Sequence, residues 1–199
     1  MKLHPVFAAV VSFLVVPFVS QAAVFVYTAS LDGPSESPPV PSPGTGSAMV
    51  IYNSAAHTLQ VQATFSNLVG TTTSAHIHAP TAVAFTGTAG VATQVPSFVG
   101  FPLGVTAGSF DNTYDLTLPS SFNPAFITAN GGTPASAEAA LFNYINDGRA
   151  YFNIHTTFAG GGEIRGFLQP TPEGSGATIA LLLPAIASLI ALRRRWRFE

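Results

Sequence analysis

The stretch Thr58-Leu59-Gln60-Val61-Gln62-Ala63-Thr64-Phe65 decides the fold. Its apolar residues recur at every second position, and successive side chains of a strand point to opposite faces. Leu59, Val61, Ala63 and Phe65 therefore share one side, and the polar residues take the other. A helix would scatter the same four around its circumference, so the segment predicts a strand with one buried and one wet face. Upstream, Asn53-Ser54-Ala55-Ala56-His57 reads as a hairpin loop back to a strand over Ala48 to Tyr52, and Val24 to Leu31 forms an earlier strand. Downstream, Phe110 to Leu118, Ala150 to His155 and Glu163 to Leu168 continue the pattern. The Pro- and Ser-rich run from Pro34 to Gly46 is an extended loop. One helix is expected over Ser136 to Asn146, where good helix formers stop just before Gly148. The expected fold is all-β, an antiparallel β-sandwich or small barrel with one short helix.

Composition agrees with that reading and narrows the function. Of 199 residues, 8% are charged and 47% hydrophobic, against about a quarter charged in an ordinary globular domain. The 16 Phe supply a core, and the 18 Gly and 16 Pro favour turns over long helices. There is no Cys, which excludes disulfides, thiolate metal sites and a Cys nucleophile. Between Val24 and Pro172 only Arg149 and Arg165 are basic, against seven Asp and Glu, a net of −5. A body so poor in Lys and Arg has nothing to meet phosphate, so nucleic acid is not an expected partner.

The two ends read as addresses. Met1-Lys2-Leu3-His4, an apolar run from Val6 to Val19, and the small-residue exit Ser20-Gln21-Ala22 have the three parts of a secretory signal peptide. Residues 1–22 are assigned to it, taking His4 with them, and residues 23–169 to the β domain. Residues 170–176 form a linker and motif, and residues 177–199 an uncharged apolar stretch, Ala177 to Leu192, stopped by Arg193, Arg194, Arg195 and Arg197. That stretch is near the length of a transmembrane helix, and the arginines keep its end cytoplasmic. An exported protein anchored to the inner membrane, or released to the cell surface or extracellular matrix, is expected. The tail resembles the PEP-CTERM sorting signals of bacteria, with Pro172 and Glu173 in the motif and Gly174 in place of its second Pro. That resemblance implies an exosortase-type sorting enzyme as a partner, besides the membrane itself.

Three isoleucine-centred triplets carry the chemistry of the body: His76-Ile77-His78, Asn153-Ile154-His155 and Glu163-Ile164-Arg165. If each Ile enters the core, six polar side chains emerge on the opposite face. His155 and Glu163 flank a Gly-rich loop, Thr156 to Gly162, which predicts a hairpin. Two His at i and i+2 on a strand can aim at one ion, so His76, His78 and His155 are candidate ligands for Cu or Zn, with Glu163 and Arg165 as supporting neighbours. The same histidines could instead donate to backbone carbonyls at a sheet end and fix loops, and Glu163 and Arg165 could pair with one another or with a neighbouring strand. His57 reads as a loop residue. Exposed aromatics such as Tyr151 and Phe158 leave carbohydrate binding as a further idea.

These segments together resemble the CHRD domain, first described in chordin and also found in bacterial proteins. The resemblance is carried by Leu31-Asp32-Gly33 with Glu36-Ser37-Pro38-Pro39-Val40, Phe65-Ser66-Asn67-Leu68 and Ala75-His76-Ile77-His78-Ala79-Pro80. It closes on Gly148 to Thr156 and Gly161-Gly162-Glu163-Ile164-Arg165-Gly166. Ala79 departs from the Gly common there. The resemblance implies a β-rich extracellular module and supplies no reaction. No Gly-x-Ser-x-Gly elbow or other nucleophile–base set is visible in the sequence. The expected function is a non-enzymatic binding or structural module of the envelope or matrix, partnered by surface polysaccharide or envelope proteins. The alternative is an extracytoplasmic Cu- or Zn-binding protein, with or without redox activity.

Overall fold

Nine-residue strands with strict burial alternation begin the fold: β1 (Val24–Asp32), β2 (Thr45–Asn53) and β3 (Thr58–Ser66) pair in series, each antiparallel to the last. The computed structural model describes residues 23–171. The expected leader, residues 1–22, and the tail from 172 to 199, with Pro172, Glu173, Arg193, Arg194, Arg195 and Arg197, lie outside the described residues. Among the described residues, no helix is long and apolar enough to cross a membrane.

Further strands are β4 (Thr72–His78), β5 (Gly108–Asp115), β6 (Tyr151–Thr156), β7 (Ile164–Phe167) and the short β8 (Gln169–Pro170). They form one antiparallel sheet in the order β4-β6-β7-β1-β2-β3-β5, with β8 on β1. The fold is mostly antiparallel β as expected, and of the two expected architectures, a sandwich or a small barrel, the single sheet curled into a half-barrel stands nearer the barrel. What curls it is a shared core: Val50, Val61, Ile77, Phe152, Ile154 and Ile164 all bury into a single cluster. Phe98, from the long connection between β4 and β5, bridges the two ends of the sheet. It stacks on Phe152 of β6 at 6.1 Å and on Tyr114 of β5 at 5.2 Å.

Two helices rather than one complete the fold, α1 (Pro124–Ala129) and α2 (Pro134–Asn146). Both start on a side-chain cap followed by Pro, Asn123 for α1 and a Thr133–Ser136 capping box for α2, the arrangement that satisfies free N–H groups at a helix start. The short α1 was missed because six residues, PAFITA, cannot show helical periodicity. Helix α2 ends at a left-handed Gly148 as expected, and buries Leu141 and Ile145. Tyr52 donates to its Glu138 carboxylate at 2.8 Å, and His57, in the β2–β3 hairpin turn, lies 2.9 Å from the same group.

Candidate metal centre

All three isoleucines, Ile77, Ile154 and Ile164, are fully buried in the core. Their polar neighbours accordingly project from the opposite face of β4, β6 and β7, but that face is covered rather than wet. His76, His78, Asn153, His155, Glu163 and Arg165 are all buried. Register sets them side by side, with His76 opposite Asn153 and Asn153 opposite Arg165. The cover comes from three connections, the Pro-rich loop after β1, the β4–β5 segment, and the Gly-rich turn between β6 and β7.

The histidines converge. Each offers a ring nitrogen, and the three lie within 4.8 Å of one another. Each also meets one backbone carbonyl of the covering loops: His76 Nε2 to Pro96 O at 2.8 Å, His78 Nδ1 to Ala89 O at 3.0 Å, and His155 Nδ1 to Gly160 O at 3.0 Å. A carbonyl only accepts, so each of those nitrogens carries the proton, and the tautomers follow. The remaining nitrogens, His76 Nδ1, His78 Nε2 and His155 Nε2, are bare lone pairs. His76 Nδ1 is buried without any partner. His78 Nε2 and His155 Nε2 face each other at 3.2 Å, so two lone pairs repel unless a cation or proton stands between them. Two imidazoles about 2.05 Å from a tetrahedral ion stand about 3.3 Å apart, so the spacing suits one ion. A ligating His that donates its other N–H to a carbonyl is the usual way a protein orients such a ligand.

Burial keeps these rings neutral. It pushes His76 down to about 4, reinforced by His155, and His78 down to about 4; His155 is lowered for the same reason. Neutral imidazole is the form that binds metal. Tyr151 lies parallel to His78 with ring centroids 5.0 Å apart, and the Arg165 guanidinium sits 4.6 Å from the centre of the Tyr151 ring. These aromatic and cation–π contacts fix the plane of His78.

Glu163 takes no part in the cluster. Its carboxylate accepts from Ser42 Oγ and Thr156 Oγ1 at 2.6 Å each, and from the amides of Val69 and Gly70 at 2.6 and 3.0 Å. Burial alone would raise this carboxyl, but the four donors outweigh it and hold it below the usual range. It pins three loops together. Arg165 donates to Ser35 O and, at 3.0 Å, to Gly87 O, and stands 3.7 Å from the Glu36 carboxylate. Sequence reasoning missed Glu36 as part of this region. Its signal was a lone acid inside an otherwise uncharged Pro-Ser loop. Burial raises Glu36 to about 7, with Arg165 opposing. Of the aromatics considered for sugars, Tyr151 is buried and Phe158 is exposed on the Gly-rich turn.

The CHRD domain family model matches residues 27–168 of the chain. No curated protein matches, and no solved structure matches.

Proposed function

The chain belongs to the CHRD domain family, and from that premise we propose that it is a metal-stapled, non-enzymatic binding or structural module, holding one Zn or Cu ion on His76, His78 and His155. One observation carries the reading. All three rings spend one N–H on a loop carbonyl and turn a bare nitrogen toward the same point, two of them 3.2 Å apart. An ion there would tie β4 and β6 to the loops that supply Pro96, Ala89 and Gly160. We read its role as structural because, among the described residues, no carboxylate joins the three ring nitrogens, and Glu163 is spent on four donors. A carboxylate so engaged is not free to act as a base on metal-held water. The leader and apolar tail of the sequence support export and membrane or surface anchoring, with sorting by an exosortase-type enzyme.

The test is metal content by mass spectrometry on full-length protein purified without a polyhistidine tag. About one Zn or Cu per chain is expected, falling to near zero in His76→Ala/His78→Ala. A folded wild type that stays metal-free after incubation with either ion overturns the reading.

A further inference from the structure

Beyond the metal centre, a second site lies on the outer face of the other half of the sheet. There β1, β2, β3 and β5 leave their non-core side chains uncovered, and an open groove of about 1270 Å³ crosses them. Register builds a ladder across its floor: Ser30 opposite Ser47, Ser47 opposite Thr64, Thr64 opposite Ser109. All four are exposed. Four hydroxyl-bearing residues thus stand in a row on strands about 4.8 Å apart, with Ser47 Oγ and Thr64 Oγ1 sharing a 3.0 Å hydrogen bond. The adjacent row carries Gln62 opposite Asp111, joined at 3.1 Å, so an amide and a carboxylate flank the ladder. Asp111 is the one charged residue among the described residues of the lining, which holds no Lys or Arg.

The groove ends on an aromatic held at a cost. Phe85 adopts φ +58°, a left-handed conformation that is an outlier for a bulky side chain and marks a position held for a purpose. Its amide donates to Gly148 O at 2.8 Å, and its ring packs so closely on Gly148 that a Cβ there would sit 2.4 Å from it. The ring of Phe167 meets it edge-on at 5.9 Å. Despite these contacts Phe85 stays 55% exposed beside the groove. A strained, braced and exposed phenyl face next to a row of hydroxyls, an amide and a carboxylate has the two chemistries a sugar needs: a flat apolar platform and paired donors and acceptors. The single negative charge disfavours acidic polymers. The apolar run from Ala177 to Leu192 is a poor occupant, since it would offer no hydrogen bond to the Ser30 and Ser109 hydroxyls or to the outer lone pairs of the Ser47–Thr64 pair.

We propose that this groove binds a neutral polysaccharide chain, with Phe85 stacking on one sugar ring and the Ser30–Ser47–Thr64–Ser109 ladder with Gln62 and Asp111 bonding the hydroxyls of the next. The experiment uses full-length protein in a sugar-free detergent, with affinity electrophoresis and calorimetry against dextran, hydroxyethyl cellulose, galactomannan and xylan, and alginate as the acidic control. Binding to at least one neutral polymer is expected, with alginate not retained. Phe85→Gly, which relieves the left-handed strain while removing the ring, should weaken it about tenfold and melt no lower than the wild type. Gln62→Ala, at a half-buried position on the outer strand face, should weaken it without touching the Phe85 brace, and serves if Phe85→Gly melts early. Failure to bind any neutral polymer, retention by alginate alone, or full binding in both variants overturns the proposal. The His76→Ala/His78→Ala protein separates this site from the metal reading, since its glycan binding should persist if it remains folded.

Discussion

On the β4–β6–β7 end of the sheet the triplets' polar side chains facing away from the core are buried, whereas on the β1–β2–β3–β5 end their counterparts are exposed or half-buried. Strand alternation is the same in both halves. The difference is made by loops: the backbones at Ser35, Gly87, Ala89, Pro96 and Gly160 come down over the first half and meet its side chains, while the second keeps an open groove. A polar group under a lid must find a partner or lose the full cost of its desolvation, but one in water loses little either way. The covered half is consequently where unfinished bonding is informative. Its three buried unpartnered atoms, Glu36 Oε1, His76 Nδ1 and Asn153 Oδ1, all lie on this side.

The largest effect expected is loss of the ion. The metal-loaded wild type should melt higher than the same protein stripped with EDTA, because a ligand that binds only the folded state stabilises it by mass action. His76→Ala/His78→Ala should show no EDTA response. Identical melting with and without chelator in the wild type would reduce the covered half to a purely protein-bonded surface and break the contrast at its strongest point.

Next comes Glu163. Glu163→Ala strips the acceptor from four donors at once and should cost about 3 kcal/mol, roughly 10 °C in this size of domain. Thermal melts check the stability, and metal analysis of Glu163→Gln checks the role. Bound metal should be unchanged in the Gln variant. Loss of metal without loss of stability would move Glu163 into the ion's coordination sphere.

Acid should separate the halves more gently. His76 and His78 sit near 4 in the fold against 6.5 unfolded, so the unfolded chain binds more protons between those values. Stability of the metal-free protein therefore falls as pH drops from about 6.5 towards 4. Glu36 works in the opposite sense. Raised to about 7 from 4.5, it is protonated in the fold while ionised in the unfolded chain, so its contribution is lost as pH rises through that window. Glu36→Gln should steepen the acid loss by removing this counter-slope. Melting curves from pH 4 to 8 measure both, and an unchanged slope in Glu36→Gln would deny Glu36 its shifted titration.

How much of this was legible in the sequence follows from the same contrast. Alternation in Thr58 to Phe65 placed one strand face in the core, and Ile77, Ile154 and Ile164 placed three more. The i, i+2 spacing put His76 and His78 on one face, but His155 joins them only because β4 pairs with β6, a neighbourhood that the sequence reading carried as a condition. What alternation cannot encode is the cover. The six polar residues of the triplets were expected on a surface and are instead buried, because chain 33–44, chain 79–107 and the turn 157–162 fold back over them. For the same reason Glu163 was grouped with the histidines, although its donors Ser42, Val69 and Gly70 come from remote loops. The single curled sheet was equally hidden, since strand order depends on which strands close around Phe98.

The smallest effect gives the sharpest comparison, because the same chemical change can be made in both halves. Thr64 and Thr156 are both strand threonines, and Val matches their shape while deleting the hydroxyl. Thr64 is exposed and shares a 3.0 Å contact with Ser47 Oγ, another solvent-facing hydroxyl. Water replaces that partner, and Val has the higher strand preference, so Thr64→Val should change stability by no more than about 0.5 kcal/mol. Thr156 is 1% exposed, donates to the Glu163 carboxylate at 2.6 Å and accepts from the Ala159 amide at 3.2 Å. Its loss leaves a buried charge one donor short, and Thr156→Val should cost about 2 kcal/mol. Urea titrations of the two variants give the difference directly. Equal costs would mean that the lid does not decide what a missing hydrogen bond costs in this sheet.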